Sequence, residues 1–134
     1  MNVASGSLIG KAIERGEDRR FVQGRGTFVD DIKRPGMLHA AVLRSSVAHG
    51  RITRLDVTAA RTLPGVHAVI TAADLGEKIP TIPIRLAPFP EFSSYLQPVI
   101  ASDRVRYVGE PLALVVAETP ALAEDALDLI EVEI

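Results

Sequence analysis

The stretch that decides the fold lies at residues 111–134 and reads PLALVVAETPALAEDALDLIEVEI. Its first part, residues 111–118, is a near-continuous apolar run, as is typical of a strand that is buried on both faces. Thr119 and Pro120 then supply a good N-cap and a good first helical residue. The sequence therefore predicts a buried strand that is followed directly by a helix.

The predicted helix has one apolar side and one acidic side. Its apolar positions recur at helical spacing, and they are Leu122, Ala123, Ala126, Leu127 and Ile130. The acidic positions that face away from them are Glu124, Asp125, Asp128 and Glu131. The final residues, IEVEI at 130–134, change to strand spacing, with Ile130, Val132 and Ile134 on one side. This stretch is therefore predicted to be a β-α-β unit.

The segment RITRLDVTAARTLPGVHAVIT, at residues 51–71, repeats the order of strand, helix and strand. Thr58 is the candidate N-cap of its short helix, and Pro64-Gly65 ends that helix. The β-branched residues on either side favour strands at 51–57 and 66–71. We interpret the similarity between the two segments as shared topology, not as proof of duplication.

The rest of the chain adds one strand and one irregular segment. MLHAAVLRS at residues 37–45 is typical of a strand, and SSVAHG is expected to connect it to the next strand as a hairpin. Between residues 76 and 98 prolines interrupt every regular pattern, and they are Pro80, Pro83, Pro88, Pro90 and Pro98. Such a long structureless segment is expected either to wrap around a neighbouring domain or to run across the protein surface. A strand is predicted to resume at residues 99–101.

Together these segments predict an α+β fold with a mixed sheet, two β-α-β units and a long Pro-rich loop. Residues 1–20 are polar and Gly-rich, and we expect them to form an extended N-terminal arm. The domain itself is then expected at residues 21–134. The length of 134 residues suits one domain of ordinary size.

Composition narrows the classes of function. The net charge is −2, and no broad basic field favours nucleic acid or an anionic membrane as a partner. The chain has no cysteine, which excludes disulfides, thiolate nucleophiles and cysteine-ligated zinc or iron–sulfur sites within it. It has no signal-peptide core and no apolar run near the ~20 residues of a membrane helix. These features fit a cytoplasmic protein.

The candidate metal ligands and paired acids have simpler interpretations. The three histidines are His39, His49 and His67, and their spacings match no metal motif. We expect His39 and His67 to be structural residues of strands, and His49 to be solvated in a turn. Asp30 and Asp31 are adjacent, so their side chains diverge on an extended backbone. One of them is expected to cap a turn or to pair with Lys33 or Arg34.

Two short motifs suggest chemistry more directly. GRGTFV at residues 24–29 begins like a dinucleotide loop but has Val29 at the third glycine position, and no strand precedes it. Its glycines are expected to allow positive φ or a close backbone approach. Glu110, in GEP, could be an acid/base residue beside a buried strand. It could equally be a surface residue of a β-turn whose second position is occupied by Pro111, and we favour this interpretation. We therefore assign no catalytic, cofactor-binding or metal-binding residue.

The order of several phrases resembles a known family. They are IGKAIERGEDRRFVQGRGTFVDDIKRPGMLHAAVLRSSVAHGRI, LPGVHAVITAADL and VRYVGEPLALVVAETPALAEDALDLIEVE. They resemble the opening of the molybdenum-binding large subunit of the xanthine dehydrogenase, aldehyde oxidase and carbon monoxide dehydrogenase family. The resemblance covers nearly the whole chain after residue 8. The family often has His-Ala-His in the segment where this chain has Val47 in place of the first histidine and Gly50 in place of an alanine.

The resemblance implies the α/β hammerhead domain that begins these subunits, where it serves as a scaffold. In the family the molybdopterin contacts and the catalytic glutamate lie farther along the subunit, and iron–sulfur clusters and FAD lie on other domains or subunits. The whole subunit would hydroxylate a carbon centre with water as the oxygen source, or oxidise carbon monoxide. The expected partners of this chain are therefore the rest of the molybdenum subunit and the iron–sulfur and flavin subunits or domains.

Two hypotheses follow. In the first, the chain is the N-terminal part of such a subunit, and a bare surface is expected where the rest would pack, at residues 76–98 and the last strand. In the second, it is a free-standing module that binds a protein or ligand, with the acidic helix at 119–131 as its docking face and no exposed apolar patch. Both hypotheses allow the chain to self-associate, because an unpaired edge strand tends to pair with a strand of another molecule.

Overall fold

The computed structural model describes residues 9–84 and 89–134. The chain divides into two compact units, one that ends at Pro35 and one at Gly36–Ile134. The strand and helix bounds of the second unit are β1 His39–Arg44, β2 Gly50–Arg51, β3 Arg54–Asp56, α2 Thr58–Thr62, β4 Val66–Thr71, β5 Thr81–Ile82, β6 Gln97–Pro98, β7 Arg104–Val105, β8 Pro111–Ala117, α3 Pro120–Leu127 and β9 Glu131–Glu133.

The described part of the first unit, residues 9–35, has no buried residue. This unit contains a short helix, α1 at Asp18–Val22. The exposed ring of Phe21, within α1, stacks on the exposed ring of Phe28, with centroids 5.8 Å apart. A Cβ on Gly26 would lie 2.8 Å from the Phe21 ring, so this glycine permits the close approach that the sequence predicted. Asp31 caps a turn, as predicted, because its Oδ2 accepts from the Phe28 amide at 2.9 Å. The division at residue 20 stays a prediction.

The second unit is built on a three-stranded sheet in the order β1-β8-β4. Three two-stranded ribbons accompany it, and they are β2–β7, β3–β9 and β5–β6. The α+β class is confirmed. All strand pairs of the described residues are antiparallel, however, so the sheet is not mixed. The expected hairpin also differs, since β1 pairs with β8 and β2 pairs with β7.

The two strand-helix-strand segments interlock. β3 pairs with β9 and β4 pairs with β8, so each segment sends one strand to the main sheet and one to a ribbon. Parallel pairing within a segment needs a crossover of a dozen or more residues, and the connection through α2, at residues 57–65, is shorter. The order of strands and helices along the chain was therefore predictable from each segment alone. Which strands pair was not, because each strand of one segment pairs with a strand of the other.

The main core lies between β8 and the helices. Ala113, Val115 and Ala117 are fully buried, and Ala123 and Ala126 of α3 pack against them. Because these residues are small, the helix can lie close to the sheet. The pairing shifts between Leu43 and Arg44 of β1, which leaves Leu112 of β8 without a partner in a bulge and buries it beside Ala113. Leu114 and Val116 are only half-buried, so β8 is fully buried on one face.

The helix signals were mostly correct. Thr119 Oγ1 accepts from the Leu122 amide at 3.1 Å and caps α3, as predicted. Gly65 ends the α2 segment with φ at +85°, and a Cβ there would lie 2.6 Å from Leu122 Cδ2. The exception is the start of α2, where Asp56 Oδ1 accepts from the Thr58 amide at 3.0 Å. Thr58 is therefore the first residue of the helix and not its N-cap, which is Val57, and the Asp56 carboxylate binds the first helical amide.

The Pro-rich segment has more regular structure than the sequence suggested. β5 pairs with β6, a 3-10 helix spans Pro90–Tyr95, and the Val99 amide donates to Pro80 O at 3.0 Å. Pro98 is tolerated because it lies in a two-stranded ribbon at an edge. Residues 99–101 follow that ribbon without being a strand. Pro88 lies outside the described residues.

The free edge of β4 is partly closed by side chains. Arg61 donates to Val69 O at 2.9 Å and to both carboxylate oxygens of Asp74 at 2.9 Å. Asp74 Oδ2 in turn accepts from the amide and hydroxyl of Thr71, both at 2.7 Å. These bonds occupy edge groups that another strand would use. Self-association of the chain stays a prediction.

We expect Asp74→Asn to weaken the dependence of stability on acid pH. The Thr71 hydrogen bonds, and then Arg61, hold the pKa of the Asp74 carboxyl below its usual 3.8. A lowered folded-state pKa stabilises the fold above the unfolded pKa, and this contribution is lost as the pH falls through the folded-state pKa. Urea unfolding below pH 4 should therefore show a smaller loss for the variant, with Asp125→Asn as the control. Parallel curves for both variants would contradict this account.

Candidate docking surface

One face of the main sheet is apolar and lies away from the helices. Its residues stand in two rows across the three strands, and they are Val42, Leu114 and Ile70, then Ala40, Val116 and Ala68. We call these six residues the open face. Ala40 is exposed and the other five are half-buried. None of the six belongs to either hydrophobic cluster of the described residues. This apolar face, outside both core clusters, is a candidate docking surface.

The Pro-rich segment forms a second apolar surface. A groove of about 270 Å³ is lined by Pro83, Ile84, Phe89, Pro90, Phe92, Ser93 and Leu96. Phe89 and Tyr95 are 60% and 72% exposed. The bare surface expected at residues 76–98 is therefore apolar where the structure describes it. The open face, by contrast, had no signal in the sequence.

Glu110 differs most from its sequence interpretation. It is fully buried, whereas a surface turn residue was expected. The turn runs from Tyr107 to Glu110, with the Glu110 amide donating to Tyr107 O at 3.3 Å and Gly109 at a φ of +90°. Glu110 is thus the last residue of the turn, and Pro111 begins β8 instead of occupying the second turn position.

The Glu110 carboxylate holds the loop that precedes it. Oε2 accepts from the Arg106 amide, and Oε1 lies 3.5 Å from Arg106 Nη1. The backbone around it is tied to the end of β1, because the Ser45 amide donates to Glu110 O at 2.9 Å and the Gly109 amide donates to Ser45 O at 2.8 Å. Oε1 has no hydrogen bond among the described residues. The group therefore acts as a loop anchor, which no sequence motif indicates.

The other candidates are dispersed. His39 is half-buried in β1, His49 is exposed, and His67 lies in β4 with Nε2 3.5 Å from Glu118 Oε1. The described residues hold no group of three or more potential metal ligands. Within the same residues, no helix has the length and apolar character that crossing a membrane requires.

The acidic C-terminal segment is partly neutralised. Arg54 lies 3.3 Å from Asp56, 2.7 Å from Glu131 and 3.8 Å from Glu133, counted between guanidinium nitrogens and carboxylate oxygens. Glu131, one of the acids of the docking face expected at 119–131, is therefore paired within the β3–β9 ribbon. Glu124 and Asp125 remain exposed on α3.

The fold combines a small α+β core with apolar surfaces and a buried carboxylate that anchors a loop. Residues 23–134 match the family model described as "Aldehyde oxidase and xanthine dehydrogenase, a/b hammerhead domain". The chain belongs to this family, as the sequence resemblance predicted.

Known relatives are much longer than this chain. The nicotine 6-hydroxylase large subunit of Paenarthrobacter nicotinovorans is 44% identical over 128 residues, which are 96% of this chain and 16% of the relative. The carbon monoxide dehydrogenase large chain of Hydrogenophaga pseudoflava is 42% identical over 117 residues, 87% of this chain and 14% of the relative. The crystal structure of a Cu,Mo-CO dehydrogenase superposes with a TM-score of 0.76 at 43% identity, covering 92% of this chain and 15% of that one.

Proposed function

We propose that this chain serves as the scaffold domain of a molybdenum hydroxylase large subunit and packs through its open face against the catalytic remainder. The open face carries the proposal, because five of its six apolar residues are half-buried and none joins a core cluster of the described residues. The relatives suggest what covers the open face: the matched segment is only 14–16% of their length, so most of a large subunit is available to pack against it.

The chemistry belongs to that remainder. The whole subunit, in this proposal, hydroxylates a carbon centre with water as the oxygen source or oxidises carbon monoxide, and its electrons pass to iron–sulfur clusters and FAD on partner domains or subunits. This chain has no cysteine, and its described residues present no ligand cluster, so we assign it no molybdenum or iron–sulfur ligand. The lack of cysteine also supports a cytoplasmic location, which is part of the proposal.

A free-standing binding module is the weaker alternative. It predicted a surface without an apolar patch, but the open face and the exposed Phe89 and Tyr95 are apolar. Its docking face was to be the acidic helix at 119–131, and Arg54 pairs with Glu131 of that segment at 2.7 Å. No feature of the described residues favours it over the scaffold.

A chimaera tests the proposal. Residues 23–134 would replace the matching segment of the nicotine 6-hydroxylase large subunit, produced in Paenarthrobacter nicotinovorans with the rest of that enzyme. We expect the chimaera to assemble, to contain molybdenum as the parent does and to hydroxylate nicotine. A soluble, folded chimaera that neither assembles nor retains molybdenum would count against the scaffold role.

A further inference from the structure

The β2–β7 ribbon places two like charges directly opposite each other. In its register Gly50 faces Val105 and Arg51 faces Arg104. The Ile52 amide donates to Asp103 O at 3.0 Å, so the arginine pair lies between two hydrogen-bonded pairs. In antiparallel ribbons such a non-hydrogen-bonded pair has the closest side chains. Two guanidinium side chains therefore begin about 5 Å apart at their Cβ atoms.

Further basic residues lie next to this pair in the chain. Val105 is fully buried and packs with Ala101 and Leu112, so Arg104, the preceding residue of the strand, points outward. His49 directly precedes β2 and Arg106 directly follows β7. We call His49, Arg51, Arg104 and Arg106 the basic face. All four residues are exposed.

The acids nearby do not neutralise this face. Arg104 Nε lies 2.9 Å from Asp103 Oδ2, Arg106 Nη2 lies 3.4 Å from Asp103 Oδ1, and Arg106 Nη1 lies 3.5 Å from Glu110 Oε1. Arg51 has no ion pair or side-chain hydrogen bond with the described residues. Arg104 and Arg106 thus share the two carboxylates, and Arg51 stays unpaired among the described residues, in a chain whose net charge is −2.

Like charges that face each other across a ribbon destabilise it, and a two-stranded ribbon has little stability to spare. A carboxylate between Arg51 and Arg104 would remove this repulsion, because a guanidinium binds a carboxylate through two parallel hydrogen bonds. We propose that the basic face binds an acidic segment of a protein partner. This inference goes beyond the scaffold role and does not depend on it.

The shape of the site favours a polypeptide over a phosphate compound. Phosphate sites are usually concave and use several backbone amides, whereas Arg51 and Arg104 stand on the outer side of a ribbon whose neighbouring Ile52 amide is already bonded. The acidic net charge of the chain also disfavours a nucleic acid. An extended segment with two or more carboxylates matches a facing arginine pair that has exposed basic residues beside it in the chain.

A titration followed by nuclear magnetic resonance tests the proposal on the full chain. The probe is a blocked hexaglutamate peptide, and tripolyphosphate is the second arm. We expect hexaglutamate to shift the amide signals of residues 49–52 and 103–106 in a saturable way. At about 0.3 M NaCl these shifts should largely disappear, because exposed charges are then screened. Tripolyphosphate binding at these residues without hexaglutamate binding would overturn the proposal.

The Arg51→Glu variant separates binding from folding. It replaces a like-charge pair with an ion pair to Arg104, so Tm should rise by about 1–4 °C. Its affinity for hexaglutamate should nevertheless fall by about tenfold or more, since the substitution replaces a guanidinium that would bind a carboxylate with a second carboxylate. Lys78→Glu makes the same change in net charge at an exposed residue of the same compact unit that does not belong to the basic face, and it should keep the affinity. An equal fall in both variants would reduce the binding to net charge alone and refute the site.

Discussion

We expect Val116→Asp to leave this chain folded and to prevent its assembly into a large subunit, whereas Val115→Asp, one residue earlier in β8, should unfold it. Val115 is fully buried against α3, and an unpaired carboxylate there costs several kcal/mol. A domain has only about 5–15 kcal/mol of stability in total. Val116 lies on the open face, so its aspartate stays hydrated until the face is covered.

The two outcomes need two measurements. Circular dichroism and urea unfolding of the isolated chain should show a folded Val116→Asp variant and an unfolded Val115→Asp variant. In the nicotine 6-hydroxylase chimaera, Val116→Asp should abolish molybdenum retention and activity. Ala121→Asp, on the exposed side of α3, is the matched control and should assemble normally. Full activity of the Val116→Asp chimaera would show that the open face is not the contact.

Glu110→Ala should lower the free energy of unfolding by about 2–4 kcal/mol. The substitution removes a fully buried carboxylate, leaves the Arg106 amide without its acceptor and opens a cavity beneath the turn. Glu110→Gln keeps an acceptor oxygen but loses the charge that faces Arg106, so a smaller loss of about 1–2 kcal/mol is expected.

Urea unfolding at pH 7 measures both losses. Glu124→Ala on α3 serves as the control, because its side chain is exposed and the change should stay within about 0.5 kcal/mol. Equal stabilities for Glu110→Ala and the parent chain would mean that the carboxylate does not anchor the loop. A Glu110→Gln loss as large as that of alanine would assign the effect to charge instead of the amide hydrogen bond.

Local signals in the sequence predicted local structure well. Thr119 caps α3 and Gly65 ends the preceding segment, because both effects depend on a few neighbouring residues. The apolar run of β8 indicated a buried strand, but no periodicity distinguishes a face that is covered within the chain from one that is left open. Val115 and Val116 are identical residues, and only the position of α3 gives them different environments.

Longer-range features could not be predicted in this way. The burial of Glu110 depends on the packing of its turn against the end of β1, which is distant in sequence. The pairing of β3 with β9 likewise joins the two ends of the interlocked segments. The family resemblance supplied the hammerhead fold, which local patterns did not identify, since the resemblance rests on the order of many short phrases.

The order of strands in the main sheet has a consequence for synthesis on the ribosome. The central strand, β8, is made last, so the two outer strands wait without their shared partner. Translation proceeds at about 5–20 residues per second, and the delay between β4 and β8 is therefore several seconds. During that interval the apolar residues of β1 and β4 have no sheet to join. A chaperone that binds nascent chains would bind these apolar residues during that interval. Ribosome stalling just before residue 111 should prolong the association between the chaperone and the nascent chain.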